Sequence, residues 1–164
     1  MGARHCRRCR VCGDHVFSSY VDYFQVTKPT RGERNNNPLN IILTNTLWHG
    51  MVQEQTDPKF IIFIAPEYGY RAAARIIRKN YFAGRTAINA IIAAWAPDVE
   101  NDTQAYIADV ALRVGTNAYQ PLEITREKGQ ASQLLPLLKA MTFHENGRCI
   151  YPDDVLQLGM DLEC

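Results

Sequence analysis

Glu145 lies seven residues after Leu138 and four after Met141. At helical spacing these three side chains leave from one face. A carboxyl group set among apolar side chains loses contact with water, and desolvation disfavours the charged form of such a group. A retained proton is what a general acid delivers to a glycosidic oxygen. Glu145 is therefore a candidate acid for cutting a glycan. The plainer reading is a solvent-facing residue at a fraying helix end.

A second group with ligand-binding character is Asn35-Asn36-Asn37-Pro38-Leu39-Asn40-Ile41, directly after Arg31-Gly32-Glu33-Arg34. Asparagine competes with the backbone through its own side chain and suits neither a helix nor a central strand. Pro38 biases Asn37 toward an extended conformation. The segment reads as a structured loop rich in amide donors and acceptors. Asn35, Asn36, Asn37 and Asn40 are then candidates for fixing the N-acetyl and hydroxyl groups of a sugar. The alternative is a turn whose amides satisfy their own backbone.

Other candidates are weighed in the same way. Glu100, in Pro97-Asp98-Val99-Glu100-Asn101-Asp102, is a second carboxylate for acid–base work or a member of a helix-capping cluster. Asp57 orients a glycan or a water, or is a turn residue between strands. Trp48, Tyr68 and Tyr70 stack on sugar faces or form half-buried core. His49 and His144 are too far apart in sequence to claim as a metal pair. No Ser-His-Asp set and no phosphate loop can be assembled, and no cofactor is expected.

Cysteine usage is lopsided. Cys6-x-x-Cys9-x-x-Cys12-x-x-His15 has metal-ligand residue types. Structural zinc sites usually split their ligands into two knuckles, and the fourth cysteine of a ferredoxin-type motif is missing. Residues 1–25 also differ in character from the rest of the chain, with arginines between the cysteines and no clear period. They read as a disordered or mis-annotated extension, with translation starting at Val26; a metal site is the alternative.

The elements that must position these groups are set by periodicity. Ile41–Leu43, Leu47–Met51 and Lys59–Ala65 are short β-rich runs, which predict a small antiparallel sheet near residues 40–65. Pro66 opens a helix that buries Tyr70, Ala73, Ala74, Ile77 and Tyr81 and ends at Gly84. Thr86 is set to cap a helix burying Ile88, Ile91, Ile92 and Trp95. Asn101 or Asp102 caps another, with Tyr106, Val110, Ala111 and Val114 inward. A helix from about Leu135 to Asn146 takes Pro136 in its first turn. A last one starts at Pro152 and carries Val155, Leu158 and Leu162. The fold class is α+β and mostly helical, with residues 26–164 as one domain.

Composition narrows the function. A net charge of +1 over 164 residues argues against a dedicated nucleic-acid binder. The longest apolar run, Phe60 to Pro66, is strand-sized, so no membrane span is expected. Residues 1–25 lack the apolar centre of a signal peptide, which predicts synthesis in the cytoplasm and retention there until another route exports the protein.

Residues 31–164 resemble a family of small phage and prophage proteins, often described as virion structural proteins. The matching residues run from Arg34-Asn35-Asn36-Asn37-Pro38 with Asn40 and Ile41, through Trp48, Gly50, Asp57, Phe60 and Phe63. They continue with Tyr68-Gly69, Arg71-Ala72, Trp95-Ala96-Pro97, Glu100-Asn101-Asp102-Thr103 and Tyr106, to His144-Glu145-Asn146-Gly147. Leu39 stands where glycine is expected. Two fragments also resemble lysozyme-like peptidoglycan-cleaving enzymes. Ala140–Gly147 is similar to the acid-bearing helix end of lytic transglycosylases. Asn37–Ile41 with Trp48-x-Gly50 and Phe60–Phe63 is similar to the substrate-cleft sheet of bacterial glucosaminidases. In those enzymes the acid helix precedes the sheet, so a lysozyme-like fold here would be circularly permuted.

The resemblance implies a virion-associated protein, made in the host cytoplasm and partnered by other virion proteins, that acts at the bacterial cell wall. It would bind the peptidoglycan glycan strand and cleave it with Glu145. The rival expectation is a non-catalytic virion component.

Overall fold

The computed structural model describes residues 27–97, 102–125 and 132–162. The readings made on residues 1–25, on Cys6, Cys9, Cys12 and His15, and on Glu100 lie outside the described residues. Six helices stand among those described: α1 Arg31–Arg34, α2 Pro66–Phe82, α3 Ile88–Trp95, α4 Thr103–Val114, α5 Leu134–Asn146 and α6 Asp153–Asp161. None is long and apolar enough to cross a membrane.

The one-turn helix α1 is an addition to the elements expected from periodicity. It forms because Thr30 and Glu33 make a reciprocal cap. The Thr30 hydroxyl accepts from the Glu33 amide at 3.2 Å, and the Glu33 carboxylate accepts from the Thr30 amide at 2.8 Å. Asn35 ends the turn. The chain then bends through Asn36 and Asn40, both at φ 50, a left-handed conformation that asparagine tolerates better than most residues.

The expected antiparallel sheet is reduced to isolated bridges, Ile42 with Phe60 and Met51 with Phe63. The pairing direction is as expected, but no strand forms among the described residues. Side-chain amides take the place of ladder partners. Asn37 Nδ2 donates to the carbonyls of both Ile41 and Ile61 at 2.9 Å, while its Oδ1 accepts from the Ile41 amide. Gln55 does the same for Val52 and Ile62. The Ile41 and Ile62 amides taken in this way cannot donate to a ladder, while the carbonyls of the same residues still accept from the Ile61 and Val52 amides.

The helices match the sequence more closely. Tyr70, Ala73, Ala74 and Ile77 of α2, Ile88, Ile91 and Ile92 of α3, and Val110 of α4 are fully buried. With Leu137, Leu138 and Met141 of α5 they form one contiguous apolar cluster. Asp102 caps α4 by accepting from Ala105, and Gly115, at φ 74, closes it. Two expectations need correction. Ala87, not Thr86, precedes α3, because the Thr86 carbonyl is drawn aside to accept from Leu122. In α6 the buried residues are Leu156, Gly159 and Met160, whereas Leu158 and Leu162 are exposed.

The α6 face is set by contact with α2. A Cβ placed on Gly159 would lie 2.5 Å from Tyr70 Cβ and 2.8 Å from the Glu67 carbonyl. Only glycine lets the two backbones approach so closely. Gly69 plays the same part at the start of α2, where a Cβ would meet the Asn36 carbonyl at 2.5 Å. That contact seats the asparagine loop against α2 and so fixes one wall of the site.

Candidate functional site

Glu145 sits in the last turn of α5, which ends at Gly147 with φ 70. Leu138 and Met141, on the same face, are fully buried, as the spacing predicts. The Glu145 carboxylate does not turn away to solvent. Its Oε2 accepts from Asn40 Nδ2 at 2.9 Å, and its Oε1 accepts from the Tyr106 hydroxyl at 3.0 Å. The carboxylate thus joins the asparagine loop to α4. Asn40 Oδ1 is buried with no hydrogen-bond partner among the described residues. The amide is oriented for Glu145 alone, since rotating it would set one acceptor against another.

Beside this group opens a cleft of about 320 Å³. Asn40 and Glu145 line it with Ile42, Trp48, Phe60 and Trp95. Its size is near the lower end of ligand pockets, about 300–1,000 Å³, which are commonly apolar with a few convergent polar groups. Lys59 also lines it, with its ammonium 5.5 Å from the centre of the Phe60 ring. The Arg31 guanidinium lies over the same ring at 4.6 Å. Aromatic faces beside amide and carboxylate groups suit a ligand with both apolar ring faces and hydroxyls.

The Tyr106 phenol is 3% exposed. Burial, and then the neighbouring Glu145 carboxylate, push its pKa well above the ordinary 10.0. It therefore remains a donor across the working pH range. Its ring stacks on His144 with centroids 3.8 Å apart. Asp109 lies 2.9 Å from His144 Nδ1 and is also paired with Arg113. Those two partners, Arg113 foremost, hold the Asp109 carboxyl below its usual range. An ionised Asp109 is acceptor-only, so the imidazole donates from Nδ1.

Of the residues read from sequence, Glu145, Asn40 and Trp48 come together in the cleft. The other described candidates serve the scaffold. Asn37 is wholly buried, and its donors go to the backbone bonds described above. Asn36 donates to the Phe63 carbonyl. Asn35 is buried and donates to Asp57. Asp57 accepts from both Arg31 nitrogens at 2.7 and 2.6 Å and from the amides of Lys59 and Phe60. These donors, Arg31 foremost, hold its carboxyl far below the usual range. Tyr68 meets His49 edge-on and covers Gly50 rather than lining the cleft.

Tyr106 and Trp95 are site residues that sequence reasoning misses, and Phe60 enters it only through the resemblance of Phe60–Phe63 to a substrate-cleft sheet. Periodicity places Tyr106 and Trp95 in the core, where their rings are indeed packed. The signal that could have found them is the phage-family resemblance, whose matching string holds all three.

The sequence matches no family model. Over 142 residues it is 37% identical to Protein P5 of Pseudoalteromonas phage PM2, an alignment spanning 84% of this chain and 84% of that protein. The chain belongs to the family of that phage protein. Kinship with Protein P5 agrees with the phage resemblance read from the sequence. It does not speak to lysozyme-like chemistry.

Proposed function

We propose that this member of the Protein P5 family is virion-associated, and that its cleft takes the glycan strand of peptidoglycan with Glu145 as the acid–base group. One observation carries the reading. A half-buried carboxylate at a helix end faces an aromatic-walled cleft, with a donor at each oxygen. A lysozyme-like arrangement has the same logic, an acid-bearing helix end set across a cleft from a β-rich wall. The chain order here would make it circularly permuted.

In the bond-breaking step the Glu145 carboxyl gives its proton to the glycosidic oxygen, and the C1–O bond breaks with its electron pair going to that oxygen. Asn40 and Tyr106 stabilise the carboxylate left behind. Glu145 is the only carboxylate among the described residues that line the cleft, and Asp57 is held by Arg31 and the backbone. In the transglycosylase form of the reaction the attacking group is a hydroxyl of the sugar itself. It bonds to C1 and returns its proton to Glu145. Inverting hydrolysis would need a second carboxylate about 6.5–9.5 Å away.

Residence would be in the host cytoplasm on synthesis and then in the virion, with action at the cell wall. The reading of a non-catalytic virion component is favoured by the engagement of both Glu145 oxygens with internal donors. Glu145→Gln separates the two. Turbidity clearing of cell walls should fall about a hundred- to ten-thousand-fold, with glycan binding and fold retained. Clearing by the variant equal to that of wild type, or a wild type that binds but never clears, removes the enzymatic reading.

A further inference from the structure

We propose that Tyr106 is the positioning residue for Glu145, fixing the plane of its carboxylate through the hydroxyl while never touching substrate. The inference rests on the acid–base reading of Glu145 and adds a residue to it.

The geometry is specific. Asn40 approaches one carboxylate oxygen from the loop, and Tyr106 approaches the other from α4. A carboxylate with one anchor can still swing about its last bonds. With two anchors from different elements its plane is set, and its remaining lone pairs are left for the cleft. Tyr106 is too buried to contact a ligand itself.

Its ring is in turn held from behind. His144 stacks on it nearly parallel, with 19° between the planes. Asp109 and Arg113, one and two helical turns further along α4, hold His144 in place. The Arg113 guanidinium lies 3.6 Å from the centre of the Phe143 ring on α5. Each link crosses between α4 and α5 or runs along one face of α4, so the donor cannot shift without repacking the pair of helices.

Tyr106→Phe keeps the ring and the stack and removes only the donor. On glycan-strand fragments, kcat should fall about ten- to hundredfold, the worth of one hydrogen bond to a charged group. KM should stay within about twofold, because the removed group does not meet substrate. The control is Tyr70→Phe. Tyr70 is equally buried, and its hydroxyl contacts Thr142 on α5 at 3.0 Å, away from Glu145. That variant should lose stability without losing kcat.

A second measurement does not depend on catalysis. The phenol carbon of Tyr106, followed by NMR with ¹³C-labelled tyrosine, should titrate at lower pH in Glu145→Gln than in wild type, since a carboxylate acceptor and its charge are gone. Identical titrations in the two proteins overturn the proposal, as does an unchanged kcat in Tyr106→Phe. If wild type cleaves no glycan but the titrations differ, the acid–base reading of Glu145 falls and Tyr106 stands as the group that holds it.

Discussion

At the residue scale, polar groups with similar sequence credentials have opposite uses. Asn37 and Asn40 stand three apart in one amide-rich loop. Asn37 closes backbone bonds inside the protein, while Asn40 reaches Glu145 across 105 residues of chain. Nothing in their types or spacing separates them, because the difference lies in which backbone groups the fold leaves unpaired. Tyr106 shows the converse. Its helical period marks its ring as core, and the period is silent on where the hydroxyl ends. Asp57, read as a possible ligand group, becomes a test of pH dependence. Its pKa is lowered in the folded protein by Arg31 and by backbone donors. The stability it contributes is therefore whole above its ordinary value of 3.8 and is lost as pH falls below that toward the folded value. Thermal melts from pH 7 to pH 2 should show Asp57→Asn less stable than wild type at neutral pH, with the gap narrowing in acid. A constant gap across the range would mean that the ionised form is not what the fold uses.

At the element scale, strong apolar periods are legible and close backbone approaches are not. Helix α2, with Pro66 at its start and Gly84 beyond its end, stands where the sequence places it. The capping pair Thr30 and Glu33 is present in the sequence as a signal for α1 and is easily lost beside three asparagines. The sheet is cut short because Asn37 and Gln55 take the Ile41 and Ile62 amides, a use that β-propensity does not register. The sequence points to the wrong face of helix α6 because Val155, Leu158 and Leu162 compete with Leu156 and Met160 for an apolar stripe, and Gly159, packed against Tyr70, adds to neither. Gly159→Ala tests that packing. Alanine favours a helix by up to about 1 kcal/mol over glycine. Here its methyl would strike Tyr70 and the backbone of α2, and overpacking costs about 1–3 kcal/mol. The variant should melt several degrees lower in calorimetry. A rise in melting temperature would show that α2 and α6 are free to part.

At the scale of the whole molecule, the first described residues and the last helices are bound together. Arg148 on the segment after α5 pairs with Glu33 and reaches Thr27 and the Lys28 carbonyl. Asn146 donates to the Pro38 carbonyl at 2.7 Å and accepts from Thr30. The loop wall of the cleft is therefore held from α5, far away in sequence. A chain ending at residue 133 keeps most of the aromatic residues of the cleft and lacks the cluster of Leu137, Leu138 and Met141. Limited proteolysis should digest it throughout residues 27–133, while the full chain is protected. A protected fragment of that range would show the amino-terminal part to be stable without α5.

The bond between Asn40 and Glu145 also sets an order in time. A ribosome delivers the loop early and the carboxylate late. Until α5 has emerged, Asn40 has nothing to hold and the cleft has no acid. If Glu145 cuts cell wall, a nascent or prematurely terminated chain is harmless to the cell that makes it. The capacity to cut arrives only once α5 has been made.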